Sequence, residues 1–365
     1  LVAKGVLLTA GVLVTDNVYE PTRTFCDRVL TRHGVTTSYF DPLIGAGIAG
    51  LMQPNTRAVF LESPGSLSFE IQDVPAIAAA AHARNAVVLI DNTWASPLYF
   101  HALEKGADLS IQSGSKYIGG HSDLMLGAVA ANAATWRRLI NTVHAMGLCV
   151  GPDDMYLGLR GLRTMGVRLA HHYAAGLKVA RWLQARPEVL RVLHPALESC
   201  PGHAIWKRDF SGACGLFSVV FKPAPDAIVN AFINALTLFG IGASWGGYES
   251  LAIPFEPHRT ATTWAAEGPT IRFNIGLEAI PNEPYFVTIP IKNMDIRLAA
   301  KLAEMPIEEL IALNPANNRP VISLDTLVLP ADRAEIFQAN LQNHDEPLVS
   351  WQAYTLKKGD QLEKL

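Results

Sequence analysis

The sequence predicts an α/β protein whose larger part is built on a mostly parallel β-sheet. Between residues 11 and 132, short apolar runs such as AVVLIDN (86–92) alternate with longer amphipathic stretches such as VPAIAAAAHARN (74–85). This alternation is typical of buried parallel strands joined by crossover helices. The composition agrees, because 49% of the 365 residues are hydrophobic and 17% are charged, which is enough apolar material for a large core.

The elements of this first region, residues 1–150, follow in order. The expected strands are GVLVTD (11–16), RAVFLES (57–63), AVVLIDN (86–92), ADLSIQSG (107–114) and GAVAAN (127–132), and the expected helical stretches are 74–85 and 96–106. GAGIAG (45–50) matches a dinucleotide-binding pattern, and Glu70 has the spacing of a ribose partner. However, Pro42 and its neighbours separate the glycines from any strand, which favours a loop or a helix-packing element.

The sequence pattern changes after residue 150, and it predicts that residues 151–279 form a smaller α+β domain. It begins with a long helical pattern over 153–186, and a second helix is expected at 226–240. Strand-like runs occur at RVLHP (191–195), CGLFSVVF (214–221) and TIRFNIGL (270–277). A proline-containing junction, 280–284, then separates this domain from a tail of different character.

Charge and cysteine usage exclude several classes of function. The 30 basic and 33 acidic residues are interspersed and give a net charge of −3, so nucleic acid is not an expected partner. The four cysteines lie far apart and form no CxxC pair, which favours reduced structural thiols over a metal site. No run is long enough to span a membrane. The apolar start, LVAKGVLLTAGVLV (1–14), runs directly into a strand-to-turn pattern, so it reads as the middle of a domain rather than a signal peptide.

A single lysine, Lys116, follows a predicted strand within SGSKYIGGHSD (113–123). An amine desolvated among glycines and small hydroxyls is suited to capture an aldehyde. Ser113 and Ser115 offer hydroxyls for a phosphate, and Asp91, at the end of another strand, offers a carboxylate for a pyridine nitrogen. Because ligands of parallel sheets bind at the carboxyl ends of strands, these residues are expected to share one crevice as a pyridoxal phosphate site. The alternative is an ordinary surface lysine.

Six motifs, in this order and spacing, resemble the Cys/Met-metabolism pyridoxal phosphate enzyme family. They are NVYEPT (17–22), FLESPGSLSFE (60–70), LIDNTWASPLYF (89–100), SIQSGSKYIGGHSD (110–123), SWGGYESL (244–251) and IRFNIGLE (271–278). The resemblance covers residues 1–279. It implies the aspartate-aminotransferase-like fold (fold type I), pyridoxal 5'-phosphate as cofactor and a cytoplasmic location.

The resemblance also implies roles for the cofactor-binding residues. Lys116 corresponds to the lysine that holds the cofactor covalently and moves the substrate α-proton. Asp91 corresponds to the carboxylate that keeps the pyridine nitrogen protonated, and Tyr19 to the tyrosine that stacks on the cofactor ring. Ser113 and Ser115 match the hydroxyls that bind the phosphate.

Two further residues match substrate-binding positions of the family. Arg272 corresponds to the arginine that binds the substrate α-carboxylate, and Ser244 lies in the motif that supports it. The implied activity is a carbon-sulfur β-lyase that cleaves L-cystathionine to homocysteine, pyruvate and ammonia. SWGGYES, with Trp245 and Tyr248, is more similar to the β-lyase branch than to the Cγ-acting synthases and lyases, which remain the alternative because they share the lysine and the aspartate.

The chain departs from the family pattern at both ends. About the first quarter of the pattern, including an intersubunit arm and a backbone cradle for the phosphate, does not occur in these residues, so weaker cofactor binding and a weakened homo-oligomer are expected. The tail, 285–332, resembles a LysM-like β-α-α-β unit of lytic transglycosylases, which binds N-acetylglucosamine polymers. Residues 333–365 are expected to be a linker and the start of a second unit. Weak peptidoglycan binding by the tail of an inactive fragment is therefore the competing hypothesis.

Overall fold

The computed structural model describes residues 10–265, 267–278, 286–317, 320–322 and 325–349. The chain divides into two compact units, residues 1–279 and residues 280–365, and each is described by itself. Within the described ranges, no helix combines the length and the apolar character needed to cross a membrane.

A six-stranded, mostly parallel sheet forms the first half of the larger unit. Its strands are β1 (Gly11–Thr15), β2 (Thr36–Phe40), β3 (Thr56–Glu62), β4 (Val87–Asp91), β5 (Leu109–Ser113) and β6 (Gly127–Ala131). The spatial order is β2-β1-β3-β4-β5-β6, with the first five parallel and β6 antiparallel to β5. Val59 and Leu61 of β3 and Val88 and Ile90 of β4 are completely buried. The predicted α/β architecture is confirmed.

In the described residues, four α-helices accompany this sheet. They are α1 (Glu20–Arg28), α2 (Val74–His82), α3 (Ser96–Tyr99) and α4 (Ala133–Ala145). The side chain of Asp73 caps α2 by accepting a hydrogen bond from the amide of Ala76 at 3.2 Å. The helix predicted over 96–106 was wrong beyond residue 99, because Phe100 is extended and buried in the core and the chain then turns as far as Gly106.

The glycine-rich stretch Gly45–Gly50 is a 3₁₀ helix that does not directly follow a strand. Its Ile48 is completely buried in the large-sheet core. This is the predicted packing element. Glu70 is engaged elsewhere, since its carboxylate pairs with Arg259 at 2.8 Å.

A second, five-stranded sheet, a long helix and two shorter helices complete the larger unit. The helices are α5 (Pro152–Gln184), α6 (His203–Asp209) and α7 (Asp226–Asn234), and the strands are β7 (Val189–Leu193), β8 (Leu216–Phe221), β9 (Gly240–Ile241), β10 (Leu251–Pro254) and β11 (Thr270–Asn274). The strand order is β7-β8-β11-β10-β9. Residues such as Phe217, Ile271 and Phe273 fill its core.

Helix α5 lies against both halves of the larger unit through glycines. A Cβ on Gly161 would stand 2.2 Å from the carbonyl oxygen of Ile118, in the turn after β5. A Cβ on Gly176, four turns further along, would stand 2.9 Å from Cα of Gly215, at the start of β8. Backbone therefore lies directly on backbone at both places, which only glycine allows.

A buried carboxylate, Asp16, joins the segment 259–262 to the end of β1. The side chain of Asp16 is completely buried and pairs with the buried guanidinium of Arg23 at 2.8 Å. The amides of Thr260, Ala261 and Thr262 donate to the same carboxylate at 2.7–3.2 Å. Because this segment connects β10 to β11, the carboxylate ties the second sheet to the strand that precedes Tyr19.

The smaller unit has its own hydrophobic core. Its elements are β12 (Phe286–Pro290), β13 (Met294–Asp295), α8 (Ile296–Leu302), α9 (Ile307–Leu313), β14 (Val321–Ile322), β15 (Thr326–Pro330) and α10 (Ala331–Gln342). β12 pairs with β15 and β13 with β14, both antiparallel. Asn314, at the end of α9, accepts a hydrogen bond from the amide of Val328 on β15 and donates one to its carbonyl, both at 2.8 Å.

The end of the smaller unit differs from the sequence expectation. Residues 333–342, expected to belong to a linker, lie in α10. The reason is the spacing of Ala334 and Phe337, which lie three residues apart on one helix face and are buried in the core of this unit. The proposed start of a second unit at 351–365 lies outside the described residues.

Candidate active site

A cavity of about 440 Å³ opens at the carboxyl ends of β3, β4 and β5. Side chains from both halves of the larger unit line it. All seven residues singled out in the sequence are among them: Tyr19, Asp91, Ser113, Ser115, Lys116, Ser244 and Arg272. The structure thus brings together residues that are up to 253 positions apart in the chain.

Lys116 lies in a turn that directly follows β5. Its amide donates to the carbonyl of Ser113 at 3.0 Å, and its own carbonyl accepts from the amide of Gly120 at 2.7 Å. Its Nζ donates to Oγ of Ser244 at 2.7 Å and lies 5.4 Å from the centre of the Trp245 ring. Burial and the nearby Arg272 guanidinium lower the pKa of Lys116, against the opposing effect of Asp91. The amine is therefore biased toward its neutral, nucleophilic form.

Asp91 ends β4 beside Lys116. Its Oδ1 accepts hydrogen bonds from the amide of Thr93, at 2.9 Å, and from the Thr93 hydroxyl. That hydroxyl also accepts from the amide of Ser113, at 2.9 Å, so Thr93 links the ends of β4 and β5. Burial raises the pKa of Asp91, although the hydrogen bonds from Thr93 and the charge of Lys116 oppose the rise.

Glu62 is a second carboxylate of the cavity, which the sequence analysis missed. It ends β3 and is the register partner of Asp91 on β4. Burial and the neighbouring Asp91 raise the pKa of Glu62 well above its usual range. Its Oε2 accepts from the backbone amide of Tyr19 at 2.7 Å, which fixes the start of α1 at the cavity. Glu62 ends an apolar run in FLES just as Asp91 does in LIDN, so its position at a strand end is the sequence signal that marks it.

The two serines of the Lys116 turn have different surroundings. Ser115 Oγ accepts from the amide of Leu126 at 2.9 Å, while the Ser115 amide donates to the Leu126 carbonyl at 3.2 Å. Ser113 lies at the last position of β5, and its backbone is held by Thr93. Both hydroxyls line the same cavity as the amine of Lys116.

Arg272 enters the cavity from β11, in the second sheet. It is 7% exposed, and burial lowers its pKa to about 10. Its Nη2 donates to the carbonyl of Ala243 at 2.8 Å and, more weakly, to that of Ser244 at 3.3 Å. Ser244 therefore contacts Arg272 through its backbone and Lys116 through its hydroxyl, which places it between the guanidinium and the amine.

The remaining cavity wall is largely apolar. It includes Leu67, Trp94, Leu124, Leu216 and Trp245. An amine with a lowered pKa, two carboxylates and a guanidinium in such a wall can bind a zwitterionic amino acid and move a proton at its Cα.

The described part of the chain contains no group of three or more His, Cys, Asp or Glu side chains arranged to hold a metal ion. Cys26, Cys200 and Cys214 are buried as free thiols, and Cys149 is exposed.

Comparison with known proteins identifies two regions. The family described as "Cys/Met metabolism PLP-dependent enzyme" matches residues 2–281, and the family described as "Lytic transglycosylase MltD, LysM-like domain" matches residues 285–346.

Several known proteins are similar to the first region. A putative cystathionine beta-lyase of Rhizobium johnstonii is 52% identical over 73% of this chain and 69% of its own length. The cystathionine beta-lyase MetC of Escherichia coli is 48% identical over 74% and 70%, respectively. The crystal structure of a cystathionine gamma synthase from Xanthomonas oryzae pv. oryzae, in complex with aminoacrylate and cysteine, superposes with a TM-score of 0.68 at 32% identity, covering 73% of this chain and 71% of that one. With most of its length matched in sequence and in fold, this chain belongs to the Cys/Met metabolism PLP-dependent enzyme family.

Proposed function

We propose that the chain is a carbon-sulfur β-lyase that acts on L-cystathionine with pyridoxal phosphate as cofactor. The observation that carries the proposal is the meeting of the Lys116 amine, the Asp91 carboxylate and the Arg272 guanidinium in one cavity. The identity to two β-lyases, 52% and 48%, supports the β-specific reaction over the Cγ-acting one, since the γ-synthase is 32% identical.

The residues present fit pyridoxal phosphate. Lys116 offers a partly desolvated amine for the aldehyde, and Asp91 offers a carboxylate for the pyridine nitrogen. Ser113, at the end of β5, and Ser115, in the turn that follows, offer hydroxyls for the phosphate, and Tyr19 offers a ring at the cavity wall. When bound, the cofactor supplies an electron sink that stabilises negative charge at the substrate Cα.

Lys116 is the base in this mechanism. Its lowered pKa leaves more of the amine neutral near neutral pH than in an ordinary lysine, so Nζ can take the proton from the substrate Cα. The Ser244 hydroxyl, 2.7 Å away, holds Nζ in the cavity while the proton is transferred. Removal of this proton prepares the substrate to lose its sulfur group from Cβ as a thiolate.

Arg272 binds the substrate carboxylate. The carbonyls of Ala243 and Ser244 hold one side of its guanidinium, which leaves its other N–H groups for the ligand. Because Arg272 is buried, a charge-assisted hydrogen bond from it to a carboxylate is stronger than the same bond in water. This contact orients the α-amino acid with its Cα toward Lys116.

The reaction products test the function. The full chain, incubated with pyridoxal phosphate and L-cystathionine, is expected to release pyruvate and homocysteine, because cleavage at Cβ leaves a three-carbon keto acid. Chromatography with mass detection measures the products, because it separates pyruvate from 2-oxobutyrate and homocysteine from cysteine. Release of 2-oxobutyrate and cysteine instead would assign the chain to the Cγ-acting branch, and the absence of any keto acid would favour the inactive-fragment hypothesis.

A second function, glycan binding by residues 285–346, is favoured by the family match of this segment. We expect the full chain to co-sediment with insoluble peptidoglycan, and a chain ending at residue 279 to remain in the supernatant. Soluble N-acetylglucosamine oligomers should release the bound protein, because they present the same sugar faces. Equal sedimentation of the two chains would assign the binding to the larger unit and contradict this function.

A further inference from the structure

Arg168, on α5, is a buried arginine whose observed hydrogen-bond partners are all neutral. Its side chain is 6% exposed. Its Nη2 donates to the carbonyls of Tyr117 and Gly161, both at 2.8 Å, and to that of Ile118 at 3.3 Å, while its Nε donates to the Thr164 hydroxyl at 3.0 Å. Among the described residues no carboxylate forms an ion pair with it. Burying a cation costs free energy unless its N–H groups find acceptors. The backbone carbonyls must therefore stay within reach of the guanidinium, which constrains the arrangement of the backbone around it.

Two of the carbonyls belong to the turn that carries Lys116. This turn is stabilised by hydrogen bonds from the amide of Gly119 to the carbonyl of Gly114, at 2.8 Å, and from the amide of Gly120 to the carbonyl of Lys116, at 2.7 Å. The carbonyls of Tyr117 and Ile118 take no part in these two hydrogen bonds, so their donors must come from outside the turn. Arg168 supplies the donor to both carbonyls, while Ser113, at the end of β5, lines the cavity.

Glycines allow this close contact between α5 and the turn. Gly120 has φ +73°, and a Cβ on it would lie 1.8 Å from Nη1 of Arg168. On the other side, a Cβ on Gly161 would lie 2.2 Å from the carbonyl oxygen of Ile118. At Gly161 backbone lies directly on backbone, and at Gly120 the guanidinium of Arg168 fills the space beside the turn, so the two contacts together fix the distance between the turn and α5.

We propose that Arg168 is a positioning residue for Lys116, which holds the turn so that Nζ reaches Ser244 inside the cavity. Arg168 acts through the carbonyls of Tyr117 and Ile118 and does not line the cavity itself. The inference rests on the proposed function, in which Lys116 binds the cofactor and moves the α-proton. Its test is separate, because the reactivity of the Lys116 amine can be measured without cofactor.

The test is the pH dependence of Lys116 acetylation in the cofactor-free full chain. Acetic anhydride labels neutral amines, and mass spectrometry of the Lys116 peptide at a series of pH values gives the midpoint of its titration. We expect this midpoint to lie below that of an ordinary lysine in the wild type and to rise by about one pH unit in R168M, as the turn relaxes and water reaches the amine. R168K should restore part of the difference, since its ammonium can still donate to one carbonyl.

Matched variants separate positioning from general destabilisation. R163M removes an exposed arginine from the same helix and should leave the midpoint unchanged. G120A presses a methyl group against Arg168 and should raise the midpoint as R168M does, whereas G147A, at a glycine of similar φ (+64°) with nothing within 4 Å of its Cβ position, should not. If R168M is insoluble, the titration midpoints of G120A and R168K are compared with that of the wild type instead.

Two results would overturn the proposal. The first is a wild-type midpoint equal to that of an ordinary lysine. The second is an unchanged midpoint in soluble R168M or in G120A, even where thermal stability falls, because the arginine would then only stabilise the fold. Absence of lyase activity or of cofactor absorbance in the wild type would instead count against the proposed function. The titration of Lys116 could still be measured in that case, because it needs no cofactor.

Discussion

Replacement of Lys116 by alanine is expected to lower kcat/KM for cystathionine cleavage by a factor of about 10³ or more, since it removes both the proposed attachment point for the cofactor and the proposed base. K116R should be equally inactive, because a guanidinium keeps its proton throughout the accessible pH range. The measurement is pyruvate release, together with the visible absorbance that develops when pyridoxal phosphate is added to the protein.

Lys105 provides the control for this substitution. It lies outside the cavity and pairs with Asp209 at 3.0 Å, so K105A should keep its activity within about twofold. Circular dichroism must show that K116A is folded. A folded K116A that still forms the cofactor absorbance, or still releases pyruvate at the wild-type rate, would remove Lys116 from the mechanism.

Replacement of Asp16 by asparagine is expected to destabilise the larger unit by about 3–5 kcal/mol, which is the typical cost of breaking a buried ion pair by removing one partner. The substitution leaves the buried guanidinium of Arg23 uncompensated. It also weakens the hydrogen bonds that the amides of Thr260, Ala261 and Thr262 donate to the carboxylate. Urea unfolding of the wild type and D16N measures the difference. D123N is the control, because Asp123 belongs to an exposed pair with Arg160, at 3.4 Å, and should change stability by less than about 1 kcal/mol.

The contribution of Asp16 to the free energy of unfolding should decrease as the pH falls. Burial alone would raise its pKa, but hydrogen bonds from Thr260, Thr262 and Arg23 hold the pKa well below its usual range. A carboxyl with a depressed pKa in the folded state stabilises the fold above its unfolded pKa, about 3.9, and this stabilisation is lost as the pH falls below that value. D16N and the wild type should therefore converge in stability as the solution is acidified below about pH 4. A gap that stays constant between pH 6 and pH 3 would contradict this account.

The parallel sheet could be predicted because its strands are recognisable locally. The residues of Val87–Asp91 are alternately buried and half-buried, and in the sequence this strand is a nearly continuous apolar run, which can be recognised without knowledge of its neighbours in space. The helix expected over 96–106 failed for the opposite reason. Its amphipathic spacing is compatible with a helix, but burial of Phe100 in the core draws the backbone into an extended conformation at that residue.

Residues of the candidate site could be predicted where a reactive side chain follows a strand directly within one short motif. Lys116 and Asp91 each follow a strand, so strand ends alone place them at one edge of the sheet. Arg168 carries no such mark, because the carbonyl of Tyr117 that it contacts lies 51 positions away and only the folded chain brings the two together. Asp16 does follow a strand, but the amide of Thr260 that donates to it lies 244 positions further along, so its position alone does not indicate what it binds. Roles for the seven site residues therefore stay predictions until the variants are measured.

Helix α5 has a consequence for how this molecule can open and close. Side chains that pack against one another can slide or change rotamer, which is how shear motions between layers are accommodated. At Gly161 and Gly176 the helix offers no side chain to slide, so the Lys116 turn and the beginning of β8 are joined to one rigid rod. A movement that admits substrate to the cavity is therefore expected in parts of the larger unit that do not lie on this rod.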